Sequence, residues 1–134
     1  MNRTLQVYKF GGASVKDAAA LLNLHTILQS RLQTNKLIVV SAMGKTTNAL
    51  EAVLAKKLGQ ADFSQDWKQI RDFHVGVCQE LFPDADLVVA KLEQLMDTVQ
   101  PILEAPISKS NYDEVYDQLI CYGELLSSLV VSEY

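Results

Sequence analysis

The sequence predicts an α/β fold, and three observations carry that expectation. Two short apolar runs, Leu5 to Phe10 and Leu37 to Val40, read as strands. A helix-period pattern fills the space between them. Both runs then lead into glycine and hydroxyl residues of the kind that open helices. Strand, helix and strand in this order make a βαβ unit, with parallel strands and a right-handed crossover. Continuous runs such as Leu-Ile-Val-Val suit strands buried on both faces beneath helices.

The elements follow in order. The first strand stops at Gly11-Gly12. Ser14 is a candidate N-cap, with Asp17 three residues later completing a capping box. Val15, Ala18, Leu22, Leu28 and Leu32 mark the apolar face of the helix, and Gln33 to Lys36 form a polar connection to the second strand. Beyond it the chain reads as helix. Thr46, Thr47 and Asn48 can cap a helix carrying Leu50, Val53, Leu54 and Leu58, with Gly59 as its stop. Ser64 or Asp66 opens the next, with Ile70, Phe73, Val77 and Leu81 on one face and Pro83 closing it. A third spans Asp86 to Gln100, bearing Val88, Leu92, Leu95 and Val99, and ends at Pro101. Pro101 to Ser110 reads as loop. From Asn111 a last helix continues to the final residue, its acidic Asp113 and Glu114 matching the macrodipole. Two strands and five helices are an unusual set, because a parallel sheet ordinarily has more strands and both faces covered. The apolar Leu129 to Val131 at the end of the last helix adds to the expectation of a cut through a larger α/β domain.

Composition excludes several classes. The chain has 134 residues, 49% of them hydrophobic and 21% charged, which fits one globular domain and not disorder. Twelve Lys and Arg against 16 Asp and Glu, with no basic block, give no footprint for nucleic acid. No apolar run approaches the roughly 18 residues of a membrane span, and the N-terminus has no signal-peptide pattern. Cys78 and Cys121 lack metal spacing, so a reduced, cytoplasmic setting is expected and no metal site is read. His25 and His74 have no acidic or cysteine partner at ligand spacing and are expected at a core edge or on the surface. Trp67, Phe73 and Phe82 read as packing residues and Cys78 as a buried, inert thiol.

Three segments carry chemistry. In Lys9-Phe10-Gly11-Gly12-Ala13-Ser14-Val15 a strand ends beside a lysine and two glycines, and a helix begins. Backbone N–H groups and an ammonium gathered at one turn suit a phosphate. A plain strand-to-helix turn with a solvated lysine is the alternative. The spacing is not that of a dinucleotide-binding G-x-G-x-x-G. In Val40-Ser41-Ala42-Met43-Gly44-Lys45-Thr46-Thr47-Asn48 a second strand end meets a helix start. Gly44-Lys45-Thr46 imitates the end of a P-loop, but the glycine that motif needs five positions earlier is Val39. Open α/β sheets bind ligands at the carboxyl ends of their strands, where both loops lie. The third segment is Cys121-Tyr122-Gly123-Glu124. A glycine inside a helix costs about 1 kcal/mol against alanine, which calls for a close approach by backbone or ligand. Glu124, beside Leu125 and Leu126, is expected to be partly buried and in need of a cation, from Lys9 or from a substrate; a surface position is the alternative.

These segments resemble the aspartate kinases of the amino-acid kinase superfamily. Lys9 to Val15 is similar to that family's N-terminal Lys-Phe-Gly-Gly signature, Val40-Ser41-Ala42 with Thr47-Asn48 to its second strand-end motif, and Gly123-Glu124 to its substrate-binding helix start. The resemblance implies the N-terminal, aspartate-side part of a three-layer αβα kinase domain over residues 1–134, with the nucleotide-binding half and the ACT regulatory domains absent. It implies phosphoryl transfer from MgATP to the β-carboxylate of L-aspartate, the entry to lysine, threonine and methionine biosynthesis. Lys9 would act in catalysis. Lys9, Gly11, Gly12 and Ser14 would hold phosphate, and Ser41, Thr47 and Glu124 would hold aspartate. ATP and Mg2+ are the implied cofactors, a homo-oligomer built through other parts of the parent is the implied assembly, and the piece alone is expected to be inactive. A non-catalytic binding module of the same fold, or a kinase for another acidic amino acid, are the alternatives.

Overall fold

The computed structural model describes residues 5–30 and 35–134. Strand β1, Leu5–Phe10, pairs in parallel with β2, Asn35–Val40, with Lys9 opposite Val39 and Phe10 opposite Val40. Asn35 and Lys36 therefore belong to the strand, not to a polar connection. Leu32, expected on the helix face, lies outside the described residues. Ser41 N–H donates to the Phe10 carbonyl at 3.0 Å, so the two strands end level.

The sheet is not buried on both faces. Alternation along a strand and direct pairing across it put Leu5, Val7, Leu37 and Val39 on one face. They remain 58, 61, 50 and 42% exposed. Phe10 and Val40, on the other face, pack against the core. The described helices lie against that second face, and periodicity alone does not distinguish a one-sided sheet from a two-sided one.

Helix α1 spans Ala18–Gln29 and starts later than Ser14 would place it. Residues Gly12–Val15 form a 3-10 turn, and Asp17 is the N-cap, its carboxylate accepting the Ala20 N–H at 2.8 Å. An aspartate in that position satisfies an orphan amide of the first turn directly, so it outcompetes the serine upstream. The turn buries Val15 and the helix buries Ala18, Leu21 and Leu24, while Leu22 is exposed.

Helix α2, Thr46–Leu58, buries Leu50, Val53 and Leu54 and stops at Gly59. The left-handed residue after it is Gln60, at φ 58°, not the glycine. Helix α3, Ser64–Leu81, begins where the Asp62 carboxylate accepts the Ser64 N–H, and ends as Phe82 turns extended ahead of Pro83. It buries Ile70, His74, Val77 and Leu81, while Phe73 is partly exposed. Helix α4, Asp86–Asp97, is followed by a short α5, Gln100–Glu104, where a loop was expected. Pro101 sits in the first turn of α5, where no N–H is needed. The Lys57 ammonium closes that turn by donating to the Leu103 and Ala105 carbonyls at 2.7 and 2.5 Å. The expected last helix is two, α6 at Tyr112–Ile120 and α7 at Tyr122–Glu133, broken at Cys121. After the break Gly123, Leu126, Ser127 and Val130 face the interior.

One core joins these helices, with Leu21, Leu50, Leu92, Leu119, Leu126 and Val130 at or near zero exposure. Ion pairs Lys56–Asp66 and Lys91–Glu133, at 2.6 and 2.7 Å, and Arg71–Glu93 tie neighbouring segments at the surface, where such pairs contribute little. Among the described residues no helix is long and apolar enough to cross a membrane.

Candidate functional site

The level strand ends bring two loops side by side. From β1 come Lys9, Phe10, Gly11 and Gly12; from β2 come Ser41, Ala42, Met43, Gly44 and Lys45. Gly12 lies against the second loop. A side-chain carbon there would stand 3.1 Å from the Ala42 carbonyl oxygen. Gly44 turns the loop with φ 51°, a region that favours glycine, and passes close to the Lys16 carbonyl at the other side. Gly11 differs from both. Its φ and ψ, −75° and 170°, are ordinary extended values. A carbon added to it meets nothing within 4 Å. Neither conformation nor packing requires a glycine at that point, so the bare backbone faces open space that a ligand can enter.

Helix α7 closes the group. A side-chain carbon on Gly123 would stand 2.8 Å from the Ala42 methyl, 3.6 Å from Leu50 and 3.7 Å from Thr46. The first turn of α7 therefore rests on the β2–α2 loop and the start of α2. The three segments singled out in the sequence meet around Ala42, which the sequence marks only as one letter of a motif. Its small size is the signal that could have drawn attention to it.

The polar groups divide into occupied and free. Thr46 is buried, and its hydroxyl donates to the Met43 carbonyl at 2.7 Å, so it fastens the loop. No side chain caps α2, which begins after Lys45. Ser41 and Thr47 are half-buried, and their hydroxyls make no hydrogen bond among the described residues. Ser14 is exposed on the 3-10 turn, and its N–H is already used by the Gly11 carbonyl at 2.9 Å. Lys9 is exposed and in no ion pair among the described residues. Glu124 is exposed too, not partly buried as its neighbours predicted. Positions 123, 126, 127 and 130 of α7 face inward, which turns 124 and 125 out. The Glu124 carboxylate has no cation beside it, Lys9 included, among the described residues. At the N-terminal turn of α7 it suits the helix dipole.

Other expected residues lie elsewhere. His74 is fully buried, not at a core edge. Its Nδ1 is 2.7 Å from the Ile70 carbonyl, its Nε2 has no partner among the described residues, and burial pushes its pKa down. Cys78 is buried, with its thiol pKa raised by burial, and Cys121 is exposed. A cavity of about 360 Å³ lies on the α3 side of the second loop, between Lys16, Lys45, Ile70 and Phe73, and includes none of the expected site residues. Among the described residues no three His, Cys, Asp or Glu side chains gather as a metal site would require.

The profile of the amino acid kinase family matches residues 4–134. The chain belongs to this family. Among curated relatives, aspartokinase 1 of Arabidopsis thaliana chloroplasts is 29% identical over 132 residues, covering 96% of the chain and 23% of the relative. The bifunctional aspartokinase/homoserine dehydrogenase 2 of Escherichia coli is 30% identical, covering 95% of the chain and 16% of the relative. This amino acid kinase chain thus spans less than a quarter of those relatives. Two solved structures of E. coli aspartokinase III share its fold. The form bound to lysine and aspartate aligns with a TM-score of 0.77 at 24% identity, over 98% of this chain and 28% of the other. The form bound to aspartate and ADP gives 0.75 at 24% identity, over 96% and 28%. The helix-rich α/β arrangement with two parallel strands is therefore that of the aspartokinase kinase domain, as the motifs implied.

Proposed function

We propose that this chain is the aspartate-binding part of an aspartate kinase. The observation that carries the reading is the meeting of three segments around Ala42: Ser41 and Thr47 lie on the second, their hydroxyls without a hydrogen bond among the described residues, and Glu124 follows Gly123 on the third. The aspartokinase relatives, and the aspartate and ADP in the E. coli structures, support the same assignment. In this reading Glu124 takes the α-ammonium of L-aspartate, and Ser41 and Thr47 hydrogen-bond its carboxylates. An oxygen of the β-carboxylate attacks the γ-phosphorus of ATP, the bond to the bridging oxygen breaks, and ADP leaves with 4-phospho-L-aspartate as product. Lys9 offsets the negative charge that builds on the transferring group, and the open backbone at Gly11 and Gly12 offers N–H groups to its oxygens. Ser14 contributes through its hydroxyl, since its N–H is spent on Gly11. A magnesium ion arriving with ATP would supply charge neutralisation on the phosphates.

Placement in a reducing, cytoplasmic compartment fits the two unpaired cysteines. In this reading the 134 residues alone bind aspartate but do not turn it over, because they cover only 23% of the aspartokinase relative. The test is titration of the chain with aspartate, followed by amide NMR. Shifts at Ser41, Thr47, Gly123 and Glu124 with aspartate, weaker with glutamate, are expected. Unmoved spectra overturn the reading. In a longer protein carrying this segment, Lys9→Ala should abolish hydroxamate-trapped aspartyl phosphate while leaving stability unchanged, because Lys9 is exposed and unpaired among the described residues. Unchanged turnover removes Lys9 from the mechanism.

A further inference from the structure

We infer that Ala42 and Gly123 are positioning residues, a size-matched pair whose contact fixes where Glu124 stands relative to Ser41 and Thr47. The inference rests on Glu124 being the carboxylate that takes the ligand's ammonium. Among the described glycines only Gly44 has a positive φ, so conformation does not explain the glycine at 123. Space does. An added carbon would come within 2.8 Å of the Ala42 methyl, well inside the roughly 3.5–4.0 Å optimum between carbons. Its other neighbours, Leu50 and Thr46, would be at 3.6 and 3.7 Å, ordinary contact distances. The whole obstacle is one methyl group.

Ala42 cannot yield to that clash. It is 5% exposed, and Gly12 packs on its carbonyl from the opposite loop. Ser41 before it is tied to Phe10, and Met43 after it accepts both the N–H and the hydroxyl of Thr46, at 3.0 and 2.7 Å. The loop is held from both sides, so a larger residue at 123 must push the first turn of α7 outward. Glu124 is the next residue on that turn and moves with it. Gly76 provides the contrast. It also lies inside a helix, yet an added carbon there meets nothing within 4 Å.

The experiment compares aspartate affinity, by calorimetry, in the chain and in Gly123→Ala, Ala42→Gly/Gly123→Ala and Gly76→Ala, with melting temperatures taken alongside. Gly123→Ala should weaken aspartate binding by about tenfold or more, the scale of losing one hydrogen bond to a charged group. The double variant, which removes the one clashing methyl, should recover affinity to within about threefold of the parent, even with the backbone freedom that a glycine adds to the loop in place of Ala42. Gly76→Ala should leave affinity unchanged. If the parent chain binds aspartate and Gly123→Ala binds it equally well, the inference fails alone. If the parent chain does not bind aspartate, the functional reading fails and takes the inference with it. If Gly123→Ala does not fold, the double variant decides: folded and binding supports the pair, unfolded or non-binding overturns it.

Discussion

Replacing His74 with leucine should abolish an acid-dependent loss of stability that begins well above the range of the carboxylates. His74 is fully buried on α3. Its Nδ1 lies 2.7 Å from the Ile70 carbonyl, which makes that nitrogen the proton donor, and Nε2 has no hydrogen-bond partner among the described residues. A second proton would place an unpaired charge in the core, so burial holds the pKa below the ordinary 6.5, partly opposed by the Ile70 hydrogen bond. The unfolded chain binds this proton near pH 6.5, the folded chain only at lower pH. Stability from this residue is therefore intact at pH 7.5 and falls as pH drops below about 6.5. The loss at a given pH is bounded by RT ln(1 + 10^(6.5 − pH)), about 2 kcal/mol at pH 5, the limit for a folded site that takes up no proton. Asp62 and Asp72 do not obscure the window. Hydrogen bonds from Ser64 and from Lys68 hold their pKa values below 3.8, so their contributions are present above that value and lost only in stronger acid. Leucine leaves the Ile70 carbonyl its backbone partner within α3 and removes the unpartnered nitrogen, so stability at pH 7.5 should stay within about 1 kcal/mol of the parent. Urea unfolding at about pH 7.5, 6.5, 6 and 5, read by the fluorescence of the single Trp67, measures both chains. Parallel profiles for parent and variant across that range would refute the reasoning.

Two further expectations concern thiols and hydroxyls. In the native chain one thiol, Cys121, should react promptly with an aromatic disulfide reagent and Cys78 only after denaturation, since one is exposed and the other buried with a raised pKa; two fast thiols in the folded chain would contradict the packing of α3. Thr46→Val should cost about 1 kcal/mol through the lost bond to Met43. Thr47→Val, whose hydroxyl is unused among the described residues, should leave urea stability within about 0.5 kcal/mol and weaken aspartate binding instead. Equal effects of the two changes on both measurements would dissolve the distinction between them.

The sequence is most informative where the chemistry is local. Lys9 to Gly12, Ser41 to Thr47 and Gly123-Glu124 each sit at the end or start of an element, so a short run of letters is enough to mark them. It is less informative wherever two local solutions compete or a distant segment decides. Ser14 and Asp17 are both good caps, and only the geometry of the turn selects Asp17. Pro101 reads as a stop, yet a proline is equally at home in a first helical turn. The break at Cys121 leaves no mark in the apolar pattern, which runs on in phase from Leu119 to Leu126. Exposure of Val7 and Leu37 depends on what covers the sheet, a property that alternation within a strand does not contain.

The glycines of the site show why letters underdetermine roles. Gly44 is required by its backbone angle, Gly12 by a carbonyl 3.1 Å from where a side chain would start, and Gly123 by a methyl at 2.8 Å. Gly11 is required by none of these, since its angles are ordinary and the space beside it is empty. Gly76 on α3 is equally unconstrained, but Gly11 lies at a strand end two residues from Lys9, where a group can approach from outside. Beside a lysine in no ion pair among the described residues, at the level ends of two parallel strands, an anion is the visitor that the proposed function assigns to it. A substitution such as Gly11→Ala should therefore leave the fold untouched and act only on a bound phosphate, whereas the same change at Gly12 or Gly123 acts first on how the loops and α7 fit together.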